Sequence, residues 1–432
     1  MEIYVVDLLG DIGQASYQPR KFAGTNVGPV GVEGLSTDLQ GKPKPKLRGT
    51  AVNFSPPCVN TSLLIYQIDD GTAKLPLTLS GGSGPTALGV FDKRSPLTSG
   101  GSASLASIMA QSTTVAAGSF ITYAGPEGWF LRVGSTPSRL TVTASEGALA
   151  DRTVAEIVSR ELMGVGGVCQ GDILGVAEMD AKNPAEVGIW VGDEITLQPV
   201  LDSLLDSVNG FLTDTRDGRL QLGILEDPAG MQPVFTVYPW MIKSPDGIKI
   251  TPTSDPGVGI LVSAAVSGGQ DRYLSSQDAT VGLPCKLVKL LFDRNFTVLA
   301  GADLAGNAAA DTSYVGLEYR TFATPADPSV MAKHASAPEF TCTTLLRNGA
   351  DASKEAFRQA RLRSVPRYVV EIPIDPKEAF AVGQSVHSVD LARGVLVKIP
   401  RFGWDLGKTF FCLGLIENTD ATNASSTLLL WG

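Results

Sequence analysis

Thr153-Val-Ala-Glu-Ile-Val-Ser-Arg-Glu-Leu-Met-Gly164 is the stretch from which the organisation of the chain can be read. It opens on the S/T-x-x-E pattern of a capping box, in which Thr153 and Glu156 satisfy backbone donors at a helix start. Val154, Ile157, Val158 and Leu162 then share one helical face, and Gly164 supplies the stop. Further along, Leu197, Val200, Leu201, Leu204, Leu205 and Val208 repeat the pattern. Thr196 reads as N-cap of this second helix, Pro199 as a first-turn residue and Gly210 as the C′ residue. Residues 211–214 and 219–225 around Asp217-Gly218 read as a hairpin with an Asp-Gly turn. Helix, irregular stretch, helix and hairpin make a compact α+β insert over 151–230. The absence of a βαβ repetition argues against a Rossmann fold or an α/β barrel.

On both sides of the insert the signals are β. Leu63-Leu-Ile-Tyr-Gln-Ile68 is a strand closed by the turn signal Asp69-Asp-Gly71. Residues 129–133 and 139–144 look like paired strands, 80–84 and 99–102 like loops, and 104–111 like one short helix with Ser102 or Ala103 near its cap. Gly41-Lys-Pro-Lys-Pro45 is an extended connector. Residues 353–363 form a third helix with Ala356, Phe357, Ala360 and Leu362 inward, stopped by Val365-Pro366. Five short strands follow, at 368–374, 385–389, 395–399, 409–416 and 427–431, as a small closed barrel or sandwich requires.

The expected fold class is therefore mainly β with an α+β insert, multidomain, with several small barrel-like or sandwich-like domains. Its parts are an N-terminal extended segment (1–50), a β domain (51–150), the insert (151–230), a β domain with loops (231–350) and a helix plus small β-barrel domain (351–432). A chain of 432 residues is too long for one ordinary core.

Composition narrows the function. Gly 47 and Pro 27 suit short strands and frequent turns, and a charged fraction of only 18% suits permanent subunit contacts. A net charge of −9 makes a poor phosphate-backbone ligand, so specific nucleic-acid binding is not expected, although DNA could pass along a channel that such a chain lines. No apolar run reaches the roughly 18 residues of a membrane span. Met1-Glu-Ile-Tyr-Val-Val-Asp7 carries acids where a secretory signal carries bases, which suggests assembly in a cytoplasm. Cys58, Cys169, Cys285, Cys342 and Cys412 are odd in number and scattered; buried thiols are expected rather than zinc or disulfides.

A search for chemistry yields little. His334 and His387 are the only histidines, and neither follows a GxSxG elbow. Gly164-Val-Gly-Gly-Val-Cys-Gln-Gly171 follows a helix, not a strand, so it misses the dinucleotide fingerprint. Asp69/Asp70, Glu226/Asp227 and Asp202/Asp206 are paired acids of the kind glycoside hydrolysis uses. The first pair, however, sits in a turn, and the last on the polar face of a helix. No catalytic, cofactor-binding or metal-binding residue is assigned.

Several strings nevertheless resemble a family of tail-tip and baseplate hub proteins from long-tailed, siphovirus-type phages and prophages. These are Gly41-Lys-Pro-Lys-Pro45, Val52-Asn-Phe-Ser-Pro-Pro57, Leu63 to Gly71, Val90-Phe-Asp-Lys-Arg94 and Pro96-Leu-Thr98. They continue with Gly188-Ile-Trp-Val191, the 199–208 helix, Asp217-Gly-Arg-Leu-Gln-Leu222, Arg294-Asn-Phe-Thr297, the 356–363 helix, Val382-Gly-Gln-Ser-Val386, Arg401-Phe-Gly403 and the final Leu-Trp-Gly. The resemblance implies a virion structural protein, not an enzyme, with no cofactor. It implies a homotrimer on the tail axis that closes the tube. The partners would be a distal tail protein, a tape-measure protein, a central fibre and receptor-binding proteins. Larger members carry a further β domain upstream, and this chain begins at what would be that domain's last strand. Trp404 and Trp431 are the candidate interface anchors, with core packing as the alternative. A peripheral arm that binds receptor or fibre is the second reading, and an envelope hydrolase the third.

Deleting residues 428–432 is expected to unfold the C-terminal part and to leave tailless or tip-less particles in electron micrographs. Infectious virions from that deletion would count against a docked terminus.

Overall fold

Lys46–Phe54 is buried along all nine of its residues, which makes it the natural centre of the fold. A computed structural model describes residues 8–27, 30–72, 75–79, 88–215, 217–243, 247–252, 260–261, 284–306, 312–418 and 425–432. The expected loop at 80–84 falls outside these residues. In the first sheet the order is Gly188–Val191, Lys46–Phe54, Leu140–Glu146, Gly89–Asp92, Ser95–Pro96, all antiparallel, with Leu77–Thr78 also against Leu140–Glu146. A second sheet runs Cys58–Asn60, Ile65–Asp69, Gly128–Val133, Ser119–Gly125, Thr98–Ser102.

Two sequence expectations change here. The strands Gly128–Val133 and Leu140–Glu146 do not pair with each other; each belongs to a different sheet. Both are buried on both faces, so the loop between them crosses from one layer to the other instead of closing a hairpin. Thr98–Ser102, expected as a loop, is an exposed edge strand parallel to Ser119–Gly125. The helix Leu105–Met109 is capped by Ser104, whose side chain accepts the Ser107 N–H, and not by Ser102 or Ala103.

The helical segment forms as its periodicity predicts. Val154–Gly164 starts at Thr153, whose hydroxyl accepts the Glu156 N–H at 3.3 Å, and Val154, Ile157, Val158 and Leu162 are buried. Leu197–Asp206 buries Leu197, Val200, Leu201, Leu204 and Leu205. The left-handed residue after it is Asn209 (φ 48°), not Gly210, which already opens the strand Gly210–Asp214. That strand pairs with Leu220–Ile224 across the Asp217-Gly218 turn. The core here is not self-contained: Ile12, Tyr17, Phe292, Leu345, Leu346 and Ala352 pack into it from outside 151–230.

Gly349–Arg363 starts four residues before the expected helix start, and it rotates the expected face. Ala356 and Leu362 are buried, but Phe357 is 45% exposed. The reason is electrostatic: Glu355, Gln359 and Arg363 occupy the buried face as a hydrogen-bonded ladder, which hydrophobic spacing cannot reveal. The helix covers the strand Leu287–Phe292 of a small sheet with Arg320–Ala323 and Glu339–Thr343.

The last sheet runs Pro233–Val237, Gly394–Val397, Lys408–Asn418, Ser425–Trp431, Tyr368–Ile374, Lys249–Pro252. Among the described residues it is open, so the closed barrel expected here is replaced by a sheet with two edges. The expected strand at 385–389 is a 3-10 turn, Val386–Ser388, because Val386 and Val389, three apart, both enter the core. Its neighbour Gln384 instead guards the sheet edge: its amide accepts the Thr236 N–H at 2.7 Å and donates to the Thr236 carbonyl at 3.3 Å. The strand Ser425–Trp431 lies inside the sheet between Lys408–Asn418 and Tyr368–Ile374.

Gly49 sits opposite Gly188 where the Gly188–Val191 strand joins Lys46–Phe54, at φ +66°; a Cβ there would stand 2.1 Å from the Val187 carbonyl oxygen. Gly49→Ala is expected to cost more than about 3 kcal/mol in urea unfolding, through clash and strain together. Gly118→Ala, at φ +74° in open space, is expected to cost only about 1 kcal/mol.

Candidate functional site

Lys46 and Arg48 alternate at the start of the central strand, with Lys44 two residues before it, which puts Lys46 and Arg48 on one side of the strand. All three are nearly excluded from water, at 7%, 2% and 3% exposure. A buried cation persists only where anions and acceptors meet it. Arg48 is met from three directions. Its Nε donates to Glu161 of the helix Val154–Gly164. Its Nη1 donates to Asp69 at 3.0 Å and to the Leu47 carbonyl at 2.6 Å. Its Nη2 donates to the Thr72 hydroxyl at 3.1 Å.

Each partner is itself held. One Asp69 oxygen also accepts the Leu47 N–H at 2.8 Å, and the other accepts the Gly71 N–H at 2.6 Å. Asp70 accepts the N–H and hydroxyl of Thr72 at 3.0 and 2.6 Å. Lys46 stands 4.0 Å from Glu161 and 4.6 Å from the centre of the Tyr17 ring. Arg20 clamps the Asp70 and Pro126 carbonyls at 2.7 and 2.8 Å. Glu146, from the neighbouring strand, accepts the Gly49 N–H at 3.2 Å and faces Arg160 at 3.5 Å. Arg152 joins Glu186 at 2.9 Å, and the same Glu186 oxygen accepts the Thr50 hydroxyl at 2.7 Å.

Electrostatics follow from this enclosure. Burial pushes Asp69 up to about 6, against the opposing pull of Arg48 and with the help of Asp70. Burial likewise pushes Glu146 up to about 7, although Arg48 and Arg160 both favour its charge. Burial draws Lys46 below the usual lysine range, with Glu161 opposing. Burial raises Tyr17 well above its usual value, and Glu161 adds to the effect. Burial disfavours the Arg48 charge too, but Glu161, Tyr17, Asp69 and Glu146 together outweigh it and hold that charge firmly.

The far end of the same strand carries a second joint. Asn53, buried at φ +54°, donates to Asn295 Oδ1 at 2.9 Å and to the Thr297 carbonyl at 2.6 Å. Asn295 donates on to the Val315 carbonyl at 2.9 Å. Beside it Arg347 pairs with Asp293, and burial draws Arg347 down to about 10.

The residues singled out from sequence fare differently. Trp404 and Trp431 are 6% and 1% exposed and belong to the C-terminal core. Trp404 packs edge-on to Phe410, and Arg367 lies over Trp431. Their faces are thus taken by their own chain, as in the core-packing alternative, and the exposed aromatics nearby are Trp240, Phe380 and Phe402. Asp69 and Asp70, set aside as turn residues, are wholly buried members of the junction. Glu226 pairs with Lys182 at 2.6 Å, and Asp227 caps Ala229 and meets Arg367 at 3.1 Å. His334 closes the helix Pro328–Lys333. Cys285 and Cys412 are buried as expected, Cys58 and Cys342 partly so, while Cys169 is exposed. Among the described residues, no group of three or more His, Cys, Asp or Glu is placed to hold a metal, and no helix is long and apolar enough to cross a membrane. Sequence reasoning missed Arg48, Glu146 and Glu161. The available signal was the alternation of Lys46 and Arg48 in a strand otherwise fit for a core.

No family model matches the chain, and no curated protein matches its sequence. Solved structures similar to it include the following three. A tail protein from Neisseria meningitidis MC58 is 13% identical, with 72% of this chain and 77% of that one covered, at a TM-score of 0.37. The 43 kDa tail protein of prophage MuSo2 from Shewanella oneidensis is 10% identical, with 72% and 76% covered, at 0.33. Prophage tail protein gp18 from Listeria monocytogenes EGD-e is 10% identical, with 68% and 74% covered, at 0.33.

Arg48→Met is expected to cost about 3–5 kcal/mol in chemical denaturation, because it strands Glu161 and Asp69 as unpaired buried acids. Adding Glu161→Gln to that variant is expected to recover part of the loss.

Proposed function

We propose that this chain is a structural component of a bacteriophage tail and, within it, the baseplate hub of the tail tip. As a homotrimer on the tail axis it closes the tube and joins it to the central fibre and receptor-binding apparatus. Its neighbours are then a distal tail protein and a tape-measure protein. Assembly takes place in the host cytoplasm, and DNA leaves through the channel it guards.

One observation carries this reading. The strings by which the sequence resembles hub proteins lie far apart in the chain, yet several of them meet around the strand Lys46–Phe54, and another anchors on the helical segment. Leu63 to Gly71 delivers Asp69 to Arg48 and to the Leu47 N–H. Gly188–Val191 pairs directly with Lys46–Phe54. Asn53 of Val52 to Pro57 bonds Asn295 of Arg294 to Thr297, and the hydroxyls of Ser55 and Thr297 stand 3.1 Å apart. The helix with Ala356 to Arg363 anchors Arg358 on the Leu225 and Val208 carbonyls at 2.6 and 2.7 Å. Resemblance concentrated in joints between segments is what a subunit that transmits force requires, since buried, hydrogen-bonded polar networks help to specify one arrangement.

The test is a cryo-EM reconstruction of the tail end of purified virions with this chain located in it. Three copies around the axis, closing the tube, are expected. Copies off the axis would move the assignment to a peripheral arm, and absence from the particle would overturn a tail role altogether.

A further inference from the structure

Glu146 is a junction acid whose charge the surroundings leave poorly met. It is 0% exposed, and its Oε1 has no hydrogen-bond partner. Its Oε2 takes only a 3.2 Å bond from Gly49 and a 3.5 Å approach by Arg160. That approach is an ion pair without a hydrogen bond, because Arg160 Nη2 is itself unbonded. By contrast, Asp69 receives three donors and Glu161 an Arg48 nitrogen.

The charges that face Glu146 come from every element packed on it. Lys46 and Arg48 lie on its neighbour strand, and Arg160 and Glu161 on the helix Val154–Gly164. Asp69 and Asp70 come from the second sheet, and Tyr17 from the N-terminal segment. Arg152, which also holds the Glu146 carbonyl at 3.1 Å, bonds Glu186, and Asp151 caps the turn after the strand. In the enclosed set, Lys46, Arg48 and Arg160 face Asp69, Asp70, Glu146 and Glu161: three cations against four acids, one negative charge in excess.

We infer that Glu146 carries a proton while the helix Val154–Gly164 is docked, and that its ionisation loosens that helix from the strands Lys46–Phe54 and Leu140–Glu146, so that the junction is a proton-operated latch. The proton passes to water, and the carboxylate left behind must follow it toward solvent. The opening is on the helix side, because Arg160 at 19% side-chain exposure is the thinnest wall, whereas Arg48 and Lys46 lie at 3% and 2%. The sign follows from linkage. Burial raises the docked Glu146 to about 7, above its water-exposed value, so docking is fullest in acid and weakens as pH rises toward neutrality. The latch is a property of the chain and does not depend on the tail-tip assignment.

The test is amide hydrogen exchange of the full chain, corrected for intrinsic rate, between about pH 6 and about pH 7. This interval takes in the upper half of the Asp69 titration at about 6, which Glu146→Gln retains, so the difference between the two proteins reads Glu146. Protection of peptides covering 154–164 is expected to fall about fivefold over this interval, while peptides covering 425–431 stay level. Glu146→Gln is expected to hold 154–164 protected, with only the small residual fall that Asp69 leaves. A wild-type infrared titration supplies the independent reading, through a buried protonated-carboxyl band that fades over the same interval. Equal pH dependence in the two peptide sets, persistence of the full fall in Glu146→Gln, or no such band would each overturn the latch.

Discussion

The helix Val154–Gly164 and the two N-terminal sheets lean on the Arg48 guanidinium. A full charge excluded from water would cost several kcal/mol if it were left unmet. The chain meets it with Glu161 from a helix, Asp69 from a second sheet and Thr72 from the turn beyond. Those groups are 21 to 113 residues away in sequence, so one side chain ties three layers together. The geometry also explains why Asp69 takes the Leu47 N–H as well: the strand and the turn are fixed to each other twice, once through charge and once through backbone.

Such a network is not a device for maximal stability. Hydrophobic replacements of buried ion pairs are often neutral or stabilising. What it contributes is uniqueness. A strand buried on every residue has no solvent-exposed face to set its register, and a slip by one residue would turn Arg48 away from both acids. Gly49 and Gly188 enforce the same register by steric means, since there two backbones come close enough to exclude a Cβ. Charge and shape thus select the same pairing.

The network also carries a cost that it does not fully offset. Four acids share three cations, and the deficit falls on Glu146, which burial holds near neutrality. A rigid joint with one under-compensated carboxylate is sensitive to proton activity at a place where helix, strand and N-terminal segment meet. Rigidity elsewhere makes that sensitivity local: the C-terminal sheet has its own core and touches the helical segment through Phe211 and Leu225.

Sequence by itself determined the local elements. Helical spacing and caps placed Val154–Gly164 and Leu197–Asp206, the Asp-Gly turn placed the hairpin, and apolar runs placed most C-terminal strands and the mainly β class. Each of these depends on neighbours within a few residues, where period and turn chemistry act directly. Tertiary structure alone decided the rest: which strands share a sheet, that 385–389 turns instead of extending, that Phe357 faces out while Glu355 and Arg363 face in, and that Trp404 and Trp431 are core. It alone made Asp69 and Asp70 junction acids and not turn ornaments. The physical reason is common to all of these. A charged residue looks like surface to any pattern of hydrophobicity until its counter-charge arrives from a distant segment, and that arrival is a property of the packed chain.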